Sequence, residues 1–283
     1  YQIGAIKKWI ENNYKGIFSI ATGCGKTLIG IYAIIEFFKN GSGIAIISAP
    51  TKVISDQWYE EFRKKLVIDG EKLNIDEILI CNSKTSWQKK VGNVLHHLKT
   101  GRINRVVFIV TTLSISKLIA YIEKAKISEK KFLIGDEVHS LGSVKNRELI
   151  SDLKHRKTFQ YLLGLSATPD RFYDQEGTNS IKDYFGKIIY DFDLNRAIKE
   201  GFLAKYNYFL SFVPLTRREL YDYRELTRKM GRSRAIKAYY GDEDIDSFTI
   251  KRAKILKKAE NKYSQLRELL LKQGLLFRCI CMV

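Results

Sequence analysis

The sequence predicts an α/β fold: a parallel sheet flanked by helices, followed by a mostly helical basic segment. Three observations predict it. Short apolar runs recur at 17–20, 44–48, 78–81, 106–110, 132–134, 161–165 and 188–190. Helical stretches with charged faces, such as Val53–Lys65 and Ser114–Lys124, lie between them, and this alternation builds a parallel sheet with helices on both sides. After Pro214 the texture changes, and Leu215 to Leu271 reads mostly as helix rich in Arg and Lys.

The first run, Ile17-Phe18-Ser19-Ile20, leads into Ala21-Thr22-Gly23-Cys24-Gly25-Lys26-Thr27 and then into a second apolar stretch, Leu28 to Ile35. That order reads strand, tight glycine loop, helix. The backbone N–H groups of such a loop (Thr22, Gly23, Cys24, Gly25) point inward and cradle phosphate at a helix N-terminus. Lys26 would reach the outer phosphates and the Thr27 hydroxyl would hold Mg²⁺. The general pattern wants a glycine five residues before Gly25, where Ile20 stands. On this segment alone a plain glycine turn is the competing reading.

The run at 132–134 ends in Gly135-Asp136-Glu137-Val138-His139. Two adjacent carboxylates at the carboxyl end of a strand lie where an open α/β sheet presents ligands. Asp136 can hold Mg²⁺, and Glu137 can orient and deprotonate an attacking water. Taken alone, a solvated turn explains the pair as well. The next run, Tyr161 to Leu165, closes in Ser166-Ala167-Thr168-Pro169. Pro169 stops the strand, and nothing physical in that turn by itself makes Ser166 or Thr168 functional.

ATGCGKT, DEVH and SATP in this order resemble motifs I, II and III of the superfamily 2 helicases and translocases, whose phosphate loop lacks the first glycine. Further matches are Tyr1-Gln2 with Ala5 and Trp9 (the adenine-reading glutamine motif), Ala49-Pro50-Thr51 with Gln57-Trp58 (motif Ia), and Val110-Thr111-Thr112 (motif Ib). The resemblance covers roughly residues 1–213. DEVH, and QW after motif Ia, resemble the branch with the type I and type III restriction translocating subunits. The resemblance implies a RecA-like first motor domain that uses ATP and Mg²⁺, with Gln2 on the adenine edge. It implies that His139 couples the nucleotide to Ser166 and Thr168. It places Pro50, Thr51, Thr111 and Thr112 on the nucleic-acid backbone, with duplex DNA favoured over RNA and partner subunits of a restriction or repair complex expected. For the two threonines at 111–112 a capped helix start at Thr112 or Ser114 is an equal reading.

Charge agrees with a polyanionic partner. There are 49 Lys and Arg against 31 Asp and Glu, a net charge of +18, and each phosphate contact releases condensed counterions. Solubility alone is the plainer use of a lysine-rich surface. No stretch approaches the roughly 20 apolar residues of a membrane span, so no membrane partner is expected. Cysteines at 24, 81, 279 and 281 have no paired metal spacing, which predicts free thiols in a reducing, intracellular setting.

The expected organisation is a motor domain over 1–213, a helical basic linker or insert over 214–274, and the first strand of a second, truncated RecA-like domain over 275–283. From Thr216 to Val283 there are 17 basic and 9 acidic residues. Gly241-Asp242-Glu243-Asp244 is expected as a polar turn between two helical stretches. Motifs IV to VI, with the arginines that reach the transferring phosphate, do not follow. An arginine finger is worth roughly 10³–10⁵ in rate in other hydrolases, so the isolated chain is expected to bind ATP and hydrolyse it poorly. A nucleotide-gated nucleic-acid clamp or sensor, and an RNA helicase, are the alternative functions. No nuclease motif is found.

Overall fold

The computed structural model describes every residue except 40, 66, 69–70, 73–74, 83–85, 207–209, 241–244 and 273–283. The elements run α1 (Gln2–Glu11), β1 (Lys15–Ile20), α2 (Lys26–Lys39), β2 (Gly43–Ala49) and α3 (Lys52–Lys65). A small hairpin follows, β3 (Val67–Ile68) and β4 (Glu71–Lys72). Next come β5 (Glu77–Cys81), α4 (Trp87–Lys99), β6 (Arg105–Thr111), α5 (Ile115–Ala125) and β7 (Lys130–Asp136). A 3₁₀ turn (Val138–Gly142) leads to α6 (Val144–Arg156), β8 (Tyr161–Ser166), α7 (Gln175–Phe185), β9 (Ile188–Phe192) and α8 (Leu194–Lys199). Helices α9 (Arg217–Tyr240), α10 (Ile245–Lys257) and α11 (Asn261–Lys272) are the last described elements. It divides into two compact units, Tyr1–Lys205 and Tyr206–Val283.

In the first unit seven parallel strands form one sheet in the order β5-β6-β2-β7-β8-β1-β9. Each of the seven apolar runs of the sequence falls on one of these strands. They read as unbroken apolar runs because the sheet is covered on both faces. Along β2, Ala45, Ile47 and Ala49 enter one core, while Ile44 and Ile46 enter the other. The first core takes Ala5 and Trp9 of α1, Ile29, Ile31, Ile34 and Phe37 of α2, and Trp58 and Phe62 of α3. The second takes Val91 and Leu95 of α4, Leu118 and Ile122 of α5, and Ile181 and Phe185 of α7. This is the α/β, RecA-like layering that the sequence predicts.

Trp9 of the glutamine-motif resemblance is a core anchor. It is fully buried, its ring packs against Tyr14 and Phe132, and its indole N–H donates to the Leu162 carbonyl at 2.9 Å. A buried indole keeps its place by finding such an acceptor. It thereby ties α1, which carries Gln2, to β8.

In the second unit α9 opens with a capping box. The Glu219 carboxylate accepts the Thr216 N–H at 2.9 Å, and the Thr216 hydroxyl accepts the Glu219 N–H at 3.3 Å. That reciprocal pairing satisfies orphan donors at a helix start. The other Glu219 oxygen accepts Glu260 N–H, and Asn261 donates to the Pro214 carbonyl, so α11 starts beside the start of α9. The segment is helical, as expected. The expected turn at 241–244 and strand at 275–283, with Cys279 and Cys281, lie outside the described residues. Among the described residues no helix is long and apolar enough to cross a membrane, and Cys24 and Cys81 are free thiols.

Candidate functional site

Neighbouring strands β7, β8 and β1 bring the three strongest sequence motifs to one edge of the sheet. In register, Asp136 pairs with Leu165, and Ser19 pairs with Ser166. The loop between β1 and α2 turns on two glycines with left-handed backbones, Gly23 (φ 85°) and Gly25 (φ 67°), a conformation that costs other residues energy. A side chain at Gly25 would also meet Gln2 Nε2 at 3.0 Å. Gln2 therefore lies against this loop. Ile20, at the position of the general pattern's first glycine, is fully buried in the core as the last residue of β1. The chain needs no glycine there because it is still a strand.

Lys26 begins α2 and is nearly buried. Its ammonium lies 3.7 Å from Glu137 Oε1 and 3.5 Å from the Ile20 carbonyl. Thr22, Gly23 and Gly25 are exposed, while Thr27 is half-buried at the start of the same helix. Cys24 is buried, and burial raises its thiol pKa.

Asp136 is 7 % exposed. One carboxylate oxygen accepts the Trp58 indole N–H at 2.7 Å, and the other accepts the Glu137 backbone N–H at 3.0 Å. Burial raises its carboxyl above the usual carboxylate range, and the Trp58 hydrogen bond works against that shift. A bound cation would oppose it too. The donor set fits Mg²⁺, since a hydroxyl and a carboxylate oxygen are hard ligands and Mg²⁺ takes few protein ligands beside phosphate and water. No cluster of three His, Cys, Asp or Glu that could hold a metal ion occurs among the described residues.

Glu137 adopts a left-handed backbone, φ 45° and ψ 56°, which costs a non-glycine residue on the order of 1–3 kcal/mol. The twist ends β7 and starts the 3₁₀ turn that carries His139. Glu137 Oε2 accepts the Ser166 hydroxyl at 3.3 Å. Ser166 Oγ in turn accepts the Thr168 N–H at 3.1 Å and lies 3.0 Å from His139 Nδ1. A serine hydroxyl has one proton and two lone pairs. With the proton on Glu137 and one lone pair on Thr168, the other lone pair accepts from His139, which assigns the ring proton to Nδ1. Glu137, Ser166, His139 and Thr168 thus form one hydrogen-bonded network, to which Lys26 is joined by its ion pair with Glu137.

A family model described as "Type III restriction enzyme, res subunit" (ResIII) matches residues 1–171. The chain belongs to that family. It is also similar to a protein described as a candidate helicase (helicase 22) of the Sulfolobus islandicus filamentous virus, isolate Iceland/Hveragerdi. The two are 24 % identical over 223 residues, 76 % of this chain and 35 % of that relative. Among solved structures the fold resembles the type ISP restriction-modification enzyme LlaGI, determined with a DNA substrate mimic (TM-score 0.58, 17 % identity, 73 % of this chain and 18 % of that one). It resembles LlaBIII, another type ISP enzyme, bound to DNA (0.54, 16 %, 71 % and 15 %). The helicase domain of Pyrococcus furiosus Hef is similar as well (0.53, 19 %, 84 % and 47 %). The chain therefore spans about a third of the viral relative and less than half of each structure.

In this ResIII-family chain, the residues matched to motifs Ia and Ib meet at the ends of β2 and β6, beside β7. Ala49 pairs with Thr111. Thr112 is buried, with its N–H and its hydroxyl both donated to the Ala49 carbonyl, at 2.9 and 3.1 Å. Its hydroxyl clasps two strands. Thr111 donates to Ser114, the N-cap of α5. Thr51 is exposed beside half-buried Pro50, and its hydroxyl caps α3 by accepting Ile54 N–H at 3.3 Å.

Sequence reasoning gave no role of their own to several residues around the site. Tyr1 stacks on Phe192 at 4.1 Å between ring centroids, meets Phe202 edge-on, and donates its hydroxyl to the Cys24 carbonyl. Arg171 donates to the His139 carbonyl at 2.5 Å and to Asp174 at 2.7 Å. Arg147 donates to the Gly142 carbonyl and to Asp174. Asp174, which also caps α7 through Gly177 N–H, has a pKa depressed to about 2, with the Arg171 hydrogen bond the largest cause. A lowered folded-state pKa means that the ionised group adds stability above the ordinary value near 3.8. That contribution fades as pH falls through about 2. The two arginines fix both ends of the 3₁₀ turn behind His139. The run Asp170-Arg171-Phe172-Tyr173-Asp174, directly after SATP, is the sequence signal that could have located Arg171 and Asp174.

Proposed function

We propose that this chain is the first motor domain of an ATP-driven DNA translocase or helicase, within a restriction or repair assembly. The observation that carries the reading is the run of contacts Lys26–Glu137–Ser166–His139, which joins the glycine loop to the SATP turn. Residues 1–213 are read as the motor domain, 214–274 as a helical basic linker or insert, and 275–283 as the start of a second motor domain. Arginines from such a domain would complete the site.

Gln2 and the N–H groups of Thr22 to Gly25 bind and orient the nucleotide, and Lys26 follows the outer phosphates. Thr27 and Asp136 would hold Mg²⁺, which neutralises phosphate charge. When Lys26 turns to phosphate, Glu137 Oε1 loses its cationic partner and is free to accept a proton from the attacking water. Through Ser166, the same carboxylate is connected to His139 and Thr168, so its protonation alters the hydrogen bonds of the SATP turn. Thr51 and the 111–112 loop, on the adjoining strands, would position backbone phosphate without reading sequence.

Duplex DNA is favoured by the DEVH and QW variants, and the net charge of +18 suits a polyanionic partner of either kind. The test is displacement of a third strand from a duplex by the natural-length protein. ATP-dependent displacement is expected. Hydrolysis stimulated by duplex without displacement would instead mean a clamp.

A further inference from the structure

Trp58 reaches the nucleotide site from a motif usually read as polymer-facing. Its ring passes over α2 at Gly30, where an added Cβ would lie 2.4 Å from Trp58 Cη2. This is why an otherwise apolar helix carries a glycine at that point. Trp58 is 1 % exposed, and its Nε1–H donates to Asp136 Oδ2 at 2.7 Å. The second oxygen is held by Glu137 N–H, so each oxygen has one fixed donor and keeps lone pairs for a further ligand. A phenylalanine would fill this part of the core without needing a partner, whereas a buried carboxylate facing an apolar ring would be costly. The indole N–H is therefore the feature that the site uses.

We propose that Trp58 is a positioning residue for the metal-side carboxylate: its indole N–H, seated over Gly30, holds Asp136 in the rotamer that receives the nucleotide-bound Mg²⁺. The proposal rests on the nucleotide reading above. Partners in the outer shell of a metal site typically contribute 10–100-fold to affinity.

The test is Mn²⁺ binding, followed by electron paramagnetic resonance with a non-hydrolysable ATP analogue, together with analogue binding in EDTA. Trp58→Phe should weaken Mn²⁺ binding by about 10-fold or more, and leave metal-free analogue affinity within about two-fold. Gly30→Ala keeps the N–H but displaces the ring, and should weaken Mn²⁺ in the same direction even if Trp58→Phe does not fold. Mn²⁺ affinity unchanged in the folded variants, with only the melting temperature lowered, would overturn the positioning role and leave the nucleotide reading intact. A native chain that binds no Mn²⁺ with the analogue would overturn both.

Discussion

Lys26→Ala is expected to raise the dissociation constant for ATP about 100-fold or more, roughly 2.8 kcal/mol, measured by calorimetry on the chain. Lys26 is nearly buried at the start of α2 and has a carboxylate 3.7 Å away. An ammonium so placed would make charge-assisted hydrogen bonds to phosphate in a partly dry site, where they are strong. The substitution acts twice, since it also leaves Glu137 Oε1 without its cation and adds an uncompensated negative charge facing the phosphates. Unchanged ATP affinity would remove Ala21 to Thr27 from the nucleotide site.

Glu137→Gln should separate binding from turnover. The amide keeps the side-chain shape and can still accept the Ser166 hydroxyl, but it cannot take a proton from water. ATP binding should be retained or slightly tighter, because Lys26 no longer has an anionic competitor. Hydrolysis should fall about 10²–10⁴-fold, the usual worth of a positioned base. Normal turnover in this variant would take Glu137 out of the base role.

The sheet was legible because its strands are buried on both faces, so seven apolar runs stood out against charged helices. The hairpin at 67–72 was not legible, being two strands of two residues each. The glycine loop, Asp136 and Glu137 could be located from local sequence, since glycines and strand-end carboxylates carry their geometry with them. Trp58 could not, because its partner is 78 residues away. The sequence matched Trp58 to motif Ia, but its contact with Asp136 left no trace beyond Gly30, a gap in the helix whose meaning depends on which ring fills it. The left-handed turn at Glu137 was equally hidden, because nothing in DEVH marks a non-glycine residue with positive φ. Arg147, Arg171 and Asp174 could not be placed from the sequence, because only the fold brings α6 and the segment before α7 to the 3₁₀ turn. Thr112 shows the opposite case. A hydroxyl matched to a polymer-contact motif is buried and spent on the Ala49 carbonyl, which leaves Thr51 as the more accessible hydroxyl of that cluster.

Steady-state ATP hydrolysis by the natural-length protein, compared without polymer and with single-stranded DNA, duplex DNA or RNA, distinguishes a nucleic-acid motor from other ATPases. A low basal rate and strong stimulation by duplex DNA that weakens as salt is raised are expected. Equal rates under all four conditions would contradict the reading of this chain as a nucleic-acid-dependent motor.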